Sequence, residues 1–133
     1  MTSTQTLIDR ALAAREKAYA PYSKYKVGAA LLTADGEIYE GCNVENAAYG
    51  LCMCAERTAV FKAVSDGVRE FSAIAVATEN GGSPCGSCRQ VLREFAPDLT
   101  VIITDTAGNF RETTLSQLLP DSFGPEHLPE NGE

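Results

Sequence analysis

The sequence predicts an α/β domain in which a mixed five-stranded sheet carries helices packed on its faces. Segments with apolar residues at helical spacing alternate with short apolar runs, in the order α-β-β-α-β-α-β-β. The run over 71–78 is almost continuously apolar, as expected for a central strand that is covered on both faces. With 133 residues, the chain has the length of one domain with its own core. We therefore expect residues 1–133 to form a single domain.

Local sequence patterns predict where the helices, strands and turns of the chain begin and end. Apolar residues at helical spacing predict a first helix over 4–18. Asp35-Gly36 is a strong signal for a tight turn between two strands. One further helix is expected after Cys54 and another after Cys88, each beginning where an apolar helical pattern starts. The strands are expected over 27–33, 37–44, 71–78, 100–104 and near 110–114.

The end of the chain changes character after its last apolar residues. Leu115, Leu118 and Leu119 predict a short closing helix that stops before Pro120. Beyond it, residues 121–133 are polar and acidic, so we expect a loosely ordered tail there.

The charge, apolar content and cysteine count of the sequence limit which partners the protein could bind and where in the cell it could be found. A net charge of −7 argues against a nucleic-acid partner, because such binders usually present a basic face. No long apolar run is present, and the start lacks a basic-then-apolar signal, so we expect no membrane association. Five cysteines, an odd number with three at metal-ligand spacing, indicate a reducing compartment. These features favour a cytoplasmic protein with a small neutral substrate.

Three cysteines form the most informative pattern in the chain. Cys85 and Cys88 are a C-x2-C pair, and Cys54 supplies a third thiol. Each stands where a loop enters a predicted helix, and the positive end of a helix dipole favours the thiolate that zinc binds. Catalytic zinc sites have three protein ligands and one open position. The pattern therefore predicts one zinc ion held by three thiolates.

Two charged residues complete this predicted site. Glu56 is too close in sequence to Cys54 to be an obvious fourth ligand, so we expect it to accept a proton from water at the open position. Zinc lowers the pKa of bound water to about 7, which makes hydroxide accessible at neutral pH. Three thiolates outweigh the charge of the ion. Arg57, three residues after Cys54, is therefore expected to hydrogen-bond the sulfurs and balance their charge.

Two other interpretations of the cysteines exist. The thiols could be reduced core residues without any metal, or Cys52 could complete a closed, structural four-cysteine zinc site. Structural sites commonly use C-x2-4-C spacing, whereas one residue separates Cys52 from Cys54. A closed site would also leave Glu56 without a role. We therefore favour the open site and interpret Cys52, like Cys42, as a small packing residue.

The motifs resemble those of a known family. Cys54-Ala-Glu-Arg57 with Pro84-Cys-Gly-Ser-Cys88 is similar to the zinc-dependent nucleoside and nucleotide deaminases, and more narrowly to the small homotetrameric cytidine deaminases. The likeness runs from about Ala18 to Phe123. It implies a three-layer α/β/α fold, one zinc ion per subunit, a role in pyrimidine salvage, and a homotetramer with active sites at subunit interfaces. Its reaction would convert cytidine and deoxycytidine to uridine and deoxyuridine plus ammonia.

The resemblance also implies which residues bind the nucleoside. Asn43 and Glu45 match residues that hold the ribose hydroxyls, and their i, i+2 spacing would place both on one face of a strand end. Tyr25 stands where the family usually has phenylalanine, and Ala55 lies inside the zinc motif. Phe123 matches a phenylalanine that reaches the active site of a neighbouring subunit.

Rival functions follow from the same residues. The chain could deaminate another small aminopyrimidine or aminopurine nucleoside, or it could be an interaction module built on structural zinc. Editing of nucleic acid is disfavoured by the acidic balance and the lack of a basic cluster.

Overall fold

The structure, a computed structural model, describes residues 2–129 and is built on a five-stranded sheet with strand order β2-β1-β3-β4-β5. The strands are β1 (Gly28–Thr33), β2 (Ile38–Cys42), β3 (Phe71–Ala77), β4 (Thr100–Thr104) and β5 (Phe110–Thr114). The α-helices are α1 (Thr4–Arg15), α2 (Ala55–Ser65), α3 (Gly86–Phe95) and α4 (Leu115–Leu118). The predicted element order is confirmed.

The sheet is mixed, as predicted. β3 and β4 run parallel, and the other neighbouring pairs are antiparallel. A parallel pair needs a crossover connection, and α3 provides it between β3 and β4. The loop at the carboxyl end of β3 therefore leads directly to the start of α3, which carries the C-x2-C pair.

Alternation of side chains along the central strands creates three layers. Ala30 and Ala75 face a core cluster that includes the apolar stripe of α1. Leu31 and Ile74 face the opposite cluster, which is formed with α2 and α3. The predicted α/β/α arrangement is confirmed, and it places both cysteine-bearing helices on the same side of the sheet.

A glycine in β2 sets how closely α2 approaches the sheet. A Cβ added at Gly41 would lie 2.5 Å from the carbonyl oxygen of Ala55 and 2.6 Å from the amide nitrogen of Ala59. Only a residue without a side chain permits this contact between two backbones. The close approach fixes the first turn of α2, where Glu56 is located.

Two boundaries differ from the sequence-based prediction by more than one residue. α1 ends at Arg15 instead of continuing to residue 18, because the next amides bond to carbonyls three residues back and tighten the chain into a turn. β2 ends at Cys42, yet Val44 pairs with both Tyr19 and Met53 through isolated bridges. The segment after β2 therefore stays extended although it lies outside the sheet.

The end of the described chain contacts α3, whereas a loosely ordered tail was expected. Arg93 Nε donates a hydrogen bond to Ser122 Oγ at 2.9 Å, and Arg93 also pairs with Glu126. Gln90 Nε2 donates to the carbonyl oxygen of Phe123 at 2.9 Å. The last part of the predicted tail, 130–133, lies outside the described residues. Within 2–129, no helix combines the length and the apolar character that a bilayer crossing requires.

Candidate active site

The three cysteines converge at the starts of two helices. Cys54 is the N-cap residue of α2, Cys85 is the N-cap residue of α3, and Cys88 lies in the first turn of α3. Their sulfur atoms all lie within 4.8 Å of one another, and the Sγ atoms of Cys85 and Cys88 are 3.5 Å apart. Three sulfurs bound tetrahedrally to zinc at about 2.3 Å would be roughly 3.8 Å apart. The donor set therefore fits a zinc ion in both chemistry and spacing.

The surroundings of the sulfurs favour negative charge. A hydrogen bond from the Cys88 thiol and the neighbouring Arg57 guanidinium together lower the pKa of Cys54 to about 5, despite the opposing effect of burial. The same hydrogen bond raises the pKa of Cys88. Nη2 of Arg57 donates to Cys54 Sγ at 3.3 Å, so the guanidinium stands beside the sulfur as its sequence position suggested. Arg57 Nε is buried and has no hydrogen-bond partner among the described residues.

Glu56 is a buried carboxyl group beside the metal-binding sulfurs. It is 4% exposed and lies in the first turn of α2, directly after Ala55. Burial raises the pKa of Glu56 to about 6, and the charge of the Cys54 thiolate adds to this effect. A carboxyl group with a pKa near the working pH can both accept and return a proton.

A cavity of about 300 Å³ opens over this group of residues, within the size range of small-molecule sites. Cys54, Cys85 and Glu56 line its floor, and Asn43 and Glu45 contribute polar groups to its wall. The remaining lining residues are Ser23, Tyr25, Val27, Cys52, Met53, Ala55, Val76, Thr78, Gly82 and Ser83.

The extended segment after β2 explains why Asn43 and Glu45 face the same cavity. Val44 exchanges backbone hydrogen bonds with Met53 at 2.9 Å on one side, while the residues flanking it bond to Tyr19 on the other. Residues i and i+2 of an extended chain point to one side, which places both polar side chains toward the cavity. The sequence-based reason was therefore sound although the strand itself ends at Cys42.

Tyr25 lies in the cavity wall, and its hydroxyl group has a partner. Tyr25 Oη donates to Asn80 Oδ1 at 2.7 Å. The ring therefore faces the cavity while its hydroxyl holds the loop that follows β3. Phe123, by contrast, is absent from the lining of the cavity in its own chain and is 56% exposed.

Two residues near the site were not expected from the sequence. Ser23 donates its hydroxyl to Glu45, and the backbone amides of Tyr22 and Ser23 donate to the same carboxylate at 3.0 Å. Cys52, interpreted as a packing residue, lines the cavity. Its sulfur accepts a hydrogen bond from the amide of Asn46 at 3.2 Å and is not part of the three-sulfur group. Ser23 and Cys52 lie two residues before Tyr25 and Cys54 in the sequence, but their contacts with Glu45 and Asn46 depend on how the loops fold together.

Three thiols that fit zinc, a buried carboxyl group and a polar cavity together define a metal-dependent hydrolase site. The family model for the cytidine and deoxycytidylate deaminase zinc-binding region matches residues 1–104. The cytidine deaminase of Sporosarcina psychrophila is 55% identical over 127 residues, covering 93% of this chain and 93% of the relative. That of Halalkalibacterium halodurans is 51% identical over 127 residues, with 93% and 96% covered.

Solved structures give the same result. The crystal structure of cytidine deaminase from Burkholderia pseudomallei superposes with a TM-score of 0.89 at 57% identity, covering 92% of this chain and 100% of that one. The cytidine deaminase of Mycobacterium tuberculosis superposes with a TM-score of 0.81 at 40% identity, covering 93% and 99%. This chain belongs to the cytidine and deoxycytidylate deaminase family. The predicted family, fold and zinc cofactor are confirmed.

Replacing Cys52 with alanine separates the open zinc site from a closed four-cysteine site. We expect Cys52→Ala to retain one zinc ion per chain, because its sulfur bonds to Asn46 and stands outside the three-sulfur group. Zinc is measured by atomic emission on the purified protein after dialysis. The matched variant Cys85→Ala should lose most of its zinc. Loss of zinc from Cys52→Ala to the same extent would contradict the three-ligand site.

Proposed function

We propose that this protein is a zinc-dependent cytidine deaminase, which hydrolyses cytidine and deoxycytidine to uridine and deoxyuridine with release of ammonia. One observation carries the proposal: the metal-ligating sulfurs of Cys54 and Cys85, the buried Glu56 and the Asn43–Glu45 pair line a single cavity. This supports a site in which hydrolytic groups and hydroxyl-binding groups face the same pocket. A nucleoside needs both at once, because its base reacts while its sugar holds it in place.

Glu56 is the proton carrier of the proposed reaction. Bound zinc supplies an activated water for attack on C4 of the pyrimidine ring. Glu56 would accept one proton from the attacking water and pass it to ring N3. It would then carry the second proton from the new C4 hydroxyl group to the amino group, which leaves as ammonia while the C4 carbonyl forms. Its burial shields the carboxyl group from bulk solvent.

Arg57 has a separate, electrostatic role in the proposal. Its guanidinium donates to Cys54 Sγ and so offsets part of the charge that three thiolates bring to one ion. The contact also orients the sulfur, because α2 holds both residues within its first turn and cap.

Glu45 is held ready to accept hydrogen bonds from a sugar. The hydroxyl and backbone amide of Ser23 and the backbone amide of Tyr22 lower the pKa of the Glu45 carboxyl group, so it stays ionised. A carboxylate accepts about four hydrogen bonds, and only three are used within the chain. The remaining capacity suits a donor such as a ribose hydroxyl.

Asn43 is fixed in one orientation by its backbone partners. Its Oδ1 accepts from the amide of Val27 and its Nδ2 donates to the carbonyl oxygen of Tyr25, both at 2.9 Å. An amide has a second N–H and a second lone pair. One of each is therefore left for a hydroxyl group, which can both donate and accept. Tyr25 and Ala55 provide apolar surface for the base beside these polar groups.

The charge of the cavity favours nucleosides over nucleotides. Among the residues that the structure describes, its lining includes no lysine, arginine or histidine, whereas Glu45 and Glu56 are both present. A 5′-phosphate would bring about two negative charges close to these carboxylates without a cation to bind them. The wall of the pocket thus supports cytidine and deoxycytidine as substrates, in preference to deoxycytidylate.

Turnover on a small set of substrates tests the proposed function. Loss of absorbance on deamination should be measured with cytidine, deoxycytidine, deoxycytidylate, cytosine and guanine at equal concentration. We expect kcat/KM for both nucleosides to exceed that for deoxycytidylate by about 100-fold, from like-charge repulsion. Cytosine and guanine should react slowly because neither has a sugar for Asn43 and Glu45 to bind. Preference for the nucleotide, for a free base or for none of these compounds would contradict the proposal.

The Glu56→Gln variant tests the role of the carboxyl group. Glutamine preserves the shape of the side chain but cannot carry the proton, so kcat on cytidine should fall by about 10²- to 10⁴-fold. Zinc content and the circular dichroism spectrum should remain those of the wild type. Glu94→Gln, the same change at an exposed position of α3, serves as the control and should leave kcat unaltered. A Glu56→Gln enzyme with near-normal kcat would remove Glu56 from the mechanism.

We further propose a homotetramer in which subunit interfaces complete the active sites. Several large apolar side chains are exposed on the single chain, among them Tyr49 at 72% and Leu51 at 71%. These two stand on the loop beside the cavity, where Tyr22 also packs edge-on against Tyr49. Exposed apolar surface next to a binding site is typical of an interface. Phe123, exposed and outside its own cavity, is available to reach the cavity of a neighbour.

Analytical ultracentrifugation checks this assembly. We expect a mass of four chains at micromolar concentration, and Phe123→Ala should raise KM for cytidine without dissociating the tetramer. A fully active single chain would contradict the proposed interface sites.

The proposed location is the cytoplasm, with a role in pyrimidine salvage. All five cysteines are unpaired, and a three-thiolate zinc site depends on a reducing environment.

A further inference from the structure

The three metal-ligating cysteines are held in place to different degrees. Cys88 is fully buried within the first turn of α3, and Cys54 is partly buried as the cap of α2. Cys85, by contrast, is exposed. As the N-cap residue of α3, it is held by the helix on its C-terminal side, whereas on its N-terminal side it follows a loop that leaves β3 at Ala77. The position of this ligand therefore also depends on what holds the loop before it.

The side chain of Arg89 makes three hydrogen bonds, two of them to the residues that precede Cys85. Its Nε donates to the carbonyl oxygen of Pro84 at 2.7 Å, and its Nη2 donates to Ser83 Oγ at 2.9 Å. Its Nη1 donates to the carbonyl oxygen of Leu118 at 2.7 Å. The planar guanidinium thus joins the cysteine loop to the end of α4.

We propose that Arg89 is a positioning residue for the zinc ligand Cys85. The carbonyl group of Pro84 belongs to the same peptide plane as the amide nitrogen of Cys85, so a bond to this oxygen fixes the plane from which Cys85 starts. The hydrogen bond to Ser83 holds the residue before it. Together they orient Cys85 through its backbone, with no contact to the sulfur itself.

The other end of this connection is rigid. Leu118 is the last residue of α4, and its carbonyl group has no acceptor role within the short helix. Leu115 at the start of α4 is fully buried in the larger core cluster. Arg89 therefore ties an exposed metal ligand to a helix that is anchored in the core.

The placement of Arg89 is otherwise unfavourable, which supports a specific role. It lies near the N-terminus of α3, where the helix dipole disfavours a positive charge. Arg57 already bonds to a ligand sulfur, whereas all three partners of Arg89 are oxygen atoms. The two arginines thus have different roles. Arg57 offsets the negative charge of the sulfurs, whereas Arg89 holds the loop before Cys85 in position.

Zinc release tests this inference, which rests on the proposed zinc site but requires no substrate. Lysine keeps the charge of Arg89 but cannot reach three acceptors with a planar fork. We expect the Arg89→Lys holoenzyme to release zinc to a chromogenic chelator about 10-fold faster than the wild type, since residues that orient ligands typically contribute 10- to 100-fold to metal affinity. The gain in melting temperature from metal-free to zinc-loaded protein should shrink accordingly.

Arg93→Lys is the matched control on the same helix. Arg93 lies one turn further along α3 and bonds to Ser122 and Glu126, away from the cysteine loop. The Arg93→Lys variant should therefore release zinc at the wild-type rate. Ser83→Ala removes one of the three Arg89 partners and should release zinc at an intermediate rate. Equal release from Arg89→Lys and Arg93→Lys, or an equal loss of melting temperature with and without zinc, would show that Arg89 only stabilises the fold and would overturn the inference.

The wild type separates this result from failure of the zinc site. If the wild-type protein takes up no zinc, both the proposed zinc site and the proposed role of Arg89 are contradicted. A zinc-loaded protein without cytidine turnover would contradict the proposed function and leave the comparison of release rates intact.

Discussion

The structure depends on bringing three sulfur atoms from two helices to within ligand distance of one ion. Thiolates repel one another, so the fold must hold them together before the metal can compensate their charge. Two helix N-termini do this, since Cys54 and Cys85 cap α2 and α3 and both helices pack on the same face of the sheet. The positive ends of both dipoles then point at the cluster. The three sulfur atoms meet because the strand order and the placement of α2 and α3 bring the starts of these two helices together.

The close contact at Gly41 shows how the core transmits position to the site. The backbones of β2 and α2 touch because Gly41 has no side chain, and the first turn of α2 is thereby fixed against the sheet. Cys54, Glu56 and Arg57 belong to this turn or its cap. The metal ligand Cys54, the proposed proton carrier Glu56 and the proposed counter-charge Arg57 are therefore positioned by one packing contact, and a shift of α2 would move all three together.

The cavity holds ionisable groups whose pKa values are shifted in opposite directions. Burial of Glu56 and the nearby thiolate raise the pKa of its carboxyl group, which suits a group that exchanges protons. Arg57 stabilises the thiolate form of Cys54. Glu45 is kept ionised by donors from the loop around Ser23. Two carboxyl groups in one cavity thus have pKa values shifted in opposite directions, which is how one site can combine proton transfer with binding of hydroxyl groups.

Local patterns in the sequence determined the element order, the two cysteine-bearing helix starts, and the pairing of Glu56 with the thiols, because these follow from spacing within a few residues. The same holds for Asn43 and Glu45, whose common direction needs only an extended chain. Tertiary structure alone decided the partner of the Tyr25 hydroxyl, the carboxylate contacts of Ser23, and the connection of Arg89 to Leu118. These contacts join residues separated by more than 20 positions, so each depends on how the packing of the sheet and helices brings distant segments together. The spacing of residues in the sequence identifies which side chains form the site. The packing of the sheet and helices determines how these side chains contact one another.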